Sequence, residues 1–190
     1  MKVIASVALL VFALGGIAAN SRLSAIARET QRQADKNMTN PDDSLEVSVI
    51  TDKPVYKLND RIKLQALLTN TSRNTLYIYG VLGWGYSASF TLHVTNARGE
   101  GIQAKRFDDS ITPPPPPNDM RAFVRLYPQH FLGTWYHSSI DELNLGKPGK
   151  YALVVEYRSP LSATGIELNP FWGREKGTIR SKLIYIEVIN

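Results

Sequence analysis

Few residues of this sequence have side chains suited to nucleophilic or metal-centred chemistry. The chain has no cysteine and three histidines, His93, His130 and His137, and it lacks the Gly-x-Ser-x-Gly segment that presents a serine nucleophile. His130 and His137 lie seven positions apart, and an odd separation places two residues on opposite faces of one strand. The sequence therefore predicts no metal site, no cofactor and no catalytic residue, and we expect a protein that is not an enzyme.

Acidic residues occur as three adjacent pairs, Asp42–Asp43, Asp108–Asp109 and Asp141–Glu142. Each pair lies in polar, turn-like sequence, where carboxylates are ordinarily solvated. Hydrolysis of a glycosidic bond needs one carboxylate on each side of that bond, and nothing in the sequence places these acids in that way. We interpret all three pairs as turn residues.

Aromatic residues in loop-like sequence are better candidates for binding. Trp84 and Tyr86 each follow a glycine, and Trp172 lies in the long connection that precedes the last strand-like segment. Exposed aromatic rings at one end of a sandwich would suit the binding of sugar or protein. For Trp84 and Trp172 a second interpretation stays open, in which the rings close the ends of the core. Trp135 lies inside a strand-like run, so we predict that it belongs to the core.

Five consecutive prolines, Pro113–Pro117, form a second unusual segment. Proline has no backbone N–H, so these residues cannot donate to a sheet and should form a polyproline II segment outside the strands. Such a segment serves either as a recognition arm for an aromatic groove or as a stiff spacer. We favour the spacer, and we keep Pro113, Pro115 and Pro117 as candidate binding residues.

From Leu45 onward, apolar and polar residues alternate in short segments, which is the pattern of strands with one buried face. Leu45, Val47 and Val49 share one such face. The clearest segments are 45–49, 62–68, 90–94, 151–157 and 182–189, and weaker ones are 76–79, 102–107, 122–127 and 131–136. No long helical pattern separates these segments, and turn residues such as Asn96–Gly99 connect them. Antiparallel pairing is therefore expected.

Strands with a single apolar face need a second sheet to cover that face. The sequence thus predicts an all-β domain over residues 45–190, an immunoglobulin-like antiparallel β-sandwich of about 7–9 strands.

Two segments resemble known sandwich modules. Thr51–Asp60, TDKPVYKLND, is similar to the start of macroglobulin-type domains and of a bacterial module named after the intracellular proteinase inhibitor of bacilli. Leu143–Tyr151, LNLGKPGKY, is similar to a late segment of the second group. The resemblance implies the sandwich fold, and it makes proteinase inhibition one of the functions to test.

The first 19 residues, MKVIASVALLVFALGGIAA, have the composition of a secretory signal peptide. Lys2 precedes an apolar run, Val3–Leu14, and small residues follow where a peptidase would cut. An uncleaved membrane anchor is the alternative, because the run is close to the minimum length of a span. Residues 20–44 form a polar linker with helical spacing at Leu23 and Ile26. We predict an exported protein, periplasmic or extracellular, that contacts the membrane only if the first segment stays attached.

The formal net charge is +5, and the lysines and arginines are scattered along the chain. This pattern does not favour nucleic acid as a partner. We therefore predict an exported bacterial, non-catalytic module that acts as a protein-interaction or structural accessory at the cell envelope. The alternatives are carbohydrate binding through Trp84, Tyr86 and Trp172, or proteinase inhibition. The partner, a protein or a glycan, is not identified by the sequence.

Overall fold

The computed structural model describes residues 44–105 and 119–190, and these residues form eleven strands and two short 3-10 turns. The strands are β1 (Leu45–Thr51), β2 (Val55–Lys57), β3 (Arg61–Asn70), β4 (Leu76–Tyr79), β5 (Phe90–Asn96), β6 (Gly101–Ile102), β7 (Phe123–Leu126), β8 (Phe131–Ser139), β9 (Gly149–Arg158), β10 (Thr178–Arg180) and β11 (Ile184–Ile189). The all-β prediction is confirmed for this part of the chain. The predicted signal peptide (1–19), the linker (20–44) except for its last residue, and Pro113–Pro117 lie outside the described residues.

The strands pair into three sheets. A three-stranded sheet has the order β1-β3-β8, and a six-stranded sheet has the order β2-β11-β9-β5-β6, with β10 also paired to β9. Strands β4 and β7 pair with each other. The pairing is antiparallel as expected, except that β2 runs parallel to β11. Strands β2 and β10 were not predicted, because segments of three residues are too short to show an alternating pattern.

The core lies between the two larger sheets. In β1, Leu45, Val47 and Val49 point inward and are buried, as their alternation predicts. The ring of Trp84 joins the two sheets, because it lies 5.2 Å from the ring of Phe90 on β5 and 5.1 Å from the ring of Tyr136 on β8. The two apolar faces therefore cover each other, as in a β-sandwich.

The order of pairing also matches an immunoglobulin-type sandwich. In that architecture, strands A, B, E and D form one sheet, and strands G, F and C form the other. Here β1-β3-β8 has the order A-B-E, and β11-β9-β5 has the order G-F-C. Strand β7 immediately precedes β8, where strand D is expected, but it pairs with β4 instead of β8. Among the described strands, β8 thus has a partner on one side only.

Candidate functional site

Trp84 and Trp172 are buried, so the hypothesis that they present exposed binding rings is corrected. Their exposed fractions are 8% and 1%. Both loops fold back onto strands. The N–H of Phe90 donates to the carbonyl of Gly83 at 3.0 Å, which directs Trp84 into the core. The N–H of Trp172 donates to the carbonyl of Tyr77 at 2.8 Å, which places its segment beside β4.

Tyr86 has the exposure expected of a binding residue, 60%. With Trp84 and Trp172 inside the core, the proposed cluster of three accessible loop aromatics is not formed. Pro113, Pro115 and Pro117 lie outside the described residues, so their role stays a prediction.

Trp135 is exposed, and its assignment to the core was wrong. It lies on β8 opposite Gln65 of β3, an outward-facing position, whereas its neighbour Tyr136 lies opposite the buried Leu64. Successive residues of a strand point to opposite faces, so only one of the two adjacent aromatic rings can enter the core. The structure buries Tyr136 and leaves Trp135 53% exposed.

Trp135 belongs to a larger apolar area on the outer side of the three-stranded sheet. Phe131 is on the same face of β8 and is 64% exposed, and Ile50 of β1 is 53% exposed. Leu67 of β3 lies between these strands, half-buried, on the same side. We call Ile50, Leu67, Phe131 and Trp135 the outer apolar face; the outward-facing Gln65 of β3 lies between Ile50 and Trp135.

Gly133 makes the close packing of this face possible. It is opposite Leu67 and occupies the outward position between Phe131 and Trp135. A Cβ atom at Gly133 would lie 2.5 Å from Cδ2 of Leu67 and 2.8 Å from the carbonyl oxygen of Ala66. The side chain of Leu67 therefore fills the space above Gly133, at the strand position between the two aromatic residues.

Polar and charged residues lie near the outer apolar face on the same side of the sheet. His137 stacks beside Trp135, with the ring centroids 6.3 Å apart and the planes at 27°. Lys63 lies opposite His137 and is exposed, and Glu46 is exposed on β1 opposite Thr69. An apolar centre with a charged rim is the composition of many protein interfaces.

The other histidines lie apart from this surface or at its end. His130 packs edge-on against Tyr127, in the turn before β8. On the six-stranded sheet, His93 Nε2 lies 3.4 Å from a carboxylate oxygen of Glu156, which also accepts hydrogen bonds from Arg180. This group lies on an open sheet face. Nowhere in the described ranges do three histidine or acidic side chains converge in the way that a metal site requires.

An open groove of about 640 Å³ lies between the β5–β6 turn and the loop before β9. Polar groups on its sides are paired within each loop. The carboxamide of Asn96 donates to Glu100 at 2.6 Å, and the hydroxyl of Tyr151 donates to the carbonyl of Lys147 at 2.5 Å. These contacts stabilise the two turns, so the groove is a weaker candidate than the outer apolar face.

The segment Thr51–Asp60, which carries the family resemblance, stabilises the fold. Tyr56 is fully buried, and its hydroxyl donates to the carboxylate of Asp52 at 2.6 Å. The same carboxylate accepts the N–H of Lys63 at 3.0 Å. Partial burial raises the pKa of Asp52, but these two hydrogen bonds outweigh it, so the pKa lies below the ordinary value. Burial likewise raises the pKa of Tyr56 far above that of a free tyrosine.

Within the residues that the structure describes, no helix has the length and apolar character of a membrane span. No protein-family model and no curated protein matches the sequence.

Several solved structures are similar to the chain. Sporulation control protein Spo0M from Bacillus subtilis has a TM-score of 0.40 at 10% identity, covering 77% of this chain and 50% of that one. A CARDB domain from Pyrococcus furiosus has a TM-score of 0.36 at 11% identity, covering 76% and 87%. A β-glucosidase from Erythrobacter marinus has a TM-score of 0.35 at 11% identity, covering 77% of this chain but only 15% of the enzyme. All three scores are below 0.5, so the role of the site has to follow from its own geometry.

Proposed function

We propose that this protein is a non-catalytic binding module that docks a partner protein on the outer apolar face. One observation carries the proposal: Phe131 and Trp135 are 64% and 53% exposed on one face of a regular strand, and Ile50, which is 53% exposed, lies two strands away on the same side of the sheet. Single exposed apolar residues are common on proteins, but two large exposed aromatic rings on one face of a strand, with further apolar side chains on the same side of the sheet, are typical of an interaction site.

The energetics of docking favour this face. Tryptophan and other aromatic residues contribute a large share of binding energy when a partner excludes water from them. Phe131 and Trp135 are held on a strand that is paired to β3 over its whole length, so little backbone order has to be gained on binding. Lys63 and Glu46 at the rim would then favour one orientation of the partner.

The place of action in this proposal is the cell envelope. It is supported by the composition of residues 1–19, in which an apolar run follows Lys2 and ends in small residues. The immunoglobulin-like architecture agrees with an interaction role, although such sandwiches serve many functions.

Carbohydrate binding is the second candidate function, now on a different surface from the one predicted. Trp135 stacks beside His137, and Phe131 lies on the same face of the strand four residues earlier. The apolar face of a sugar ring can stack on an exposed indole ring. The two functions are distinguished by the class of ligand, protein or carbohydrate, that the chain no longer binds when Phe131 and Trp135 are substituted.

The test is capture from the native envelope fraction with the purified chain and two variants. The variant Phe131→Ser with Trp135→Ser removes both rings of the outer apolar face. The matched control is Tyr185→Ser, which removes an exposed ring (64%) from the six-stranded sheet. We expect the wild type and the control to retain a protein of the envelope fraction that the double variant does not retain. Thermal unfolding of all three proteins checks that each is folded.

Parallel binding to insoluble polysaccharides and a small panel of proteases decides between the alternatives. Retention on a glycan that depends on Phe131 and Trp135 would replace the protein partner by a carbohydrate. Stoichiometric inhibition of a protease by the wild type, unchanged in the double variant, would assign the function to another surface. Equal capture by the double variant and the control would overturn the proposal.

A further inference from the structure

The groove beside the β5–β6 turn is lined by cationic residues from both of its walls. Arg98 lies in that turn, and Lys147 and Lys150 lie in the opposite loop and at the start of β9. Among the described residues that line the groove, Glu100 is the only acidic one, and its carboxylate accepts a hydrogen bond from the amide of Asn96 at 2.6 Å. The groove therefore has an excess of positive charge.

These three cations have no partner of opposite charge in the part of the chain that the structure describes. None of Arg98, Lys147 and Lys150 forms an ion pair there. Glu187 lies opposite Lys150 across the β9–β11 pair, but the two side chains form no salt bridge. Like charges that line one groove repel each other, and a cleft of one sign concentrates its electrostatic field. An anion held between the walls would relieve this repulsion.

Hydrogen bonds within the protein fix both walls of the groove. In the β5–β6 turn, Oδ1 of Asn96 accepts the N–H of Arg98 at 2.9 Å and the N–H of Glu100 at 3.1 Å. The amide of Asn144 donates to the carbonyl of Gln103 at 3.2 Å, which connects the loop before β9 to the end of β6. A ligand would therefore meet a preformed groove, and little order would have to be gained on binding.

The size and the lining of the groove define the kind of ligand. Its volume of about 640 Å³ is in the range of small-molecule sites and exceeds what a single anionic group needs. Tyr151, the one aromatic residue among the described lining residues, is 6% exposed, so its ring offers no platform for stacking. A Cβ atom at Gly146 or Gly149 would meet nothing within 4 Å, so this wall does not close over the groove. Recognition therefore has to use charge and hydrogen bonds.

We propose that this groove is a binding site for a small molecule that carries two or more anionic groups, either phosphates or carboxylates. Arg98 on one wall and the two lysines on the other bind different anionic groups of the same ligand. Arginine binds phosphate and carboxylate through paired N–H groups, and lysine binds them as a point charge. A ligand with one anionic group cannot engage both walls at once.

The test is isothermal titration calorimetry of the purified chain with tripolyphosphate and with citrate, at about 20 mM salt. Inorganic phosphate is the comparison with a single anionic group. We expect one or both multivalent probes to bind at least about tenfold more tightly than inorganic phosphate, because linked groups bind together. Binding should weaken as the salt is raised to about 0.15 M, because exposed charges are then screened. The probe that binds identifies the acidic group as phosphate or carboxylate.

A pair of charge variants tests whether the groove is the site. Lys147→Gln with Lys150→Gln should weaken binding of the better probe at least about tenfold, since two charge-assisted contacts are lost. The matched control is Arg158→Gln with Lys182→Gln, which removes the same charge from exposed residues. Arg158 is the last residue of β9, at the opposite end of that strand from Lys150, and Lys182 follows β10. The control should keep the affinity of the wild type, and thermal unfolding checks that both variants are folded.

Amide NMR shifts locate the bound probe without any substitution. We expect the largest shifts at Gly99, Gly101 and Gly146, which lie on the two walls or at the tip of the turn. Any of four results would overturn the inference: dissociation constants above about 1 mM for both multivalent probes, equally tight binding of inorganic phosphate, equal weakening in the two charge variants, or shifts confined to other surfaces.

This inference goes beyond the proposed function, because the groove adjoins the six-stranded sheet and the outer apolar face belongs to the three-stranded sheet. The variant Phe131→Ser with Trp135→Ser should bind tripolyphosphate or citrate as the wild type does. Failure of anion binding is therefore distinguishable from failure to capture a partner protein.

Discussion

The protein has two aromatic regions, one inside the sandwich and one on its surface. The interior region contains Trp84 and Trp172, which are 8% and 1% exposed, and the surface region contains Phe131 and Trp135, which are 64% and 53% exposed. The interior tryptophans come from glycine-containing loops, and the exposed aromatic residues come from a regular strand. A loop can fold back until its ring is covered, whereas a strand must present every second residue to the outside.

The two regions should differ most in how much free energy of unfolding is lost when one tryptophan is removed. We expect Trp172→Ala to lower the free energy of unfolding by about 3–5 kcal/mol, because the cavity that it leaves is lined by the core. Trp135→Ala removes an exposed ring, so its effect should be within about 0.5 kcal/mol. Urea denaturation of the two variants and the wild type measures both values.

These two substitutions are controls for each other, because both remove an indole. A loss above about 2 kcal/mol for Trp135→Ala would show that the outer ring contributes to folding, and the contrast between the regions would fail.

A second prediction concerns the backbone beneath the outer apolar face. We expect Gly133→Ala to cost about 1–3 kcal/mol, because the added methyl group would lie 2.8 Å from the carbonyl oxygen of Ala66 as well as against Leu67. Backbone cannot move aside as a side chain can. The matched control is Gly101→Ala, where a Cβ atom would meet nothing within 4 Å. Equal stability of the two variants would show that Leu67 does not lie over Gly133.

Alternation in the sequence was sufficient to predict the inward positions of the long strands. In β1 and β5, residues such as Val47 and Leu92 are buried as their spacing indicated. The segment 76–79 is also observed as β4. The parallel pairing of β2 with β11 joins segments more than 120 positions apart, and local periodicity contains no information on such contacts.

The location of the candidate site could not be predicted in the same way. In β8, the adjacent Trp135 and Tyr136 are both large aromatic residues, so composition does not decide which of them is inside. Register decides it, because Tyr136 is opposite the inward-facing Leu64 of β3. The available signal was Gly133, which lies on the same face of β8 as Trp135. Glycine has no side chain to pack, so a strand face that carries glycine is less suited to the core.

The smallest predicted effect tests the contact between the interior and the surface. The carboxylate of Asp52 is near the solvent, and it accepts a hydrogen bond from the buried Tyr56 at 2.6 Å. We expect Asp52→Ala to lower the free energy of unfolding by about 1 kcal/mol at pH 7, a value reduced by solvent screening. The cost of Asp52→Ala should be smaller in a Tyr56→Phe background, because the hydrogen bond between these two side chains is already absent there.

The pH dependence of that effect has a definite sign. The pKa of Asp52 is lower in the folded protein than in the unfolded chain, since its two hydrogen bonds favour the charged form despite partial burial. The carboxylate therefore stabilises the fold above the unfolded pKa of about 4, and this contribution is lost as the pH falls through the lower folded value. The difference between wild type and Asp52→Ala should be constant from pH 7 to about 5 and should narrow toward pH 3. A difference that widens in acid would mean that Asp52 does not bind Tyr56 as a carboxylate.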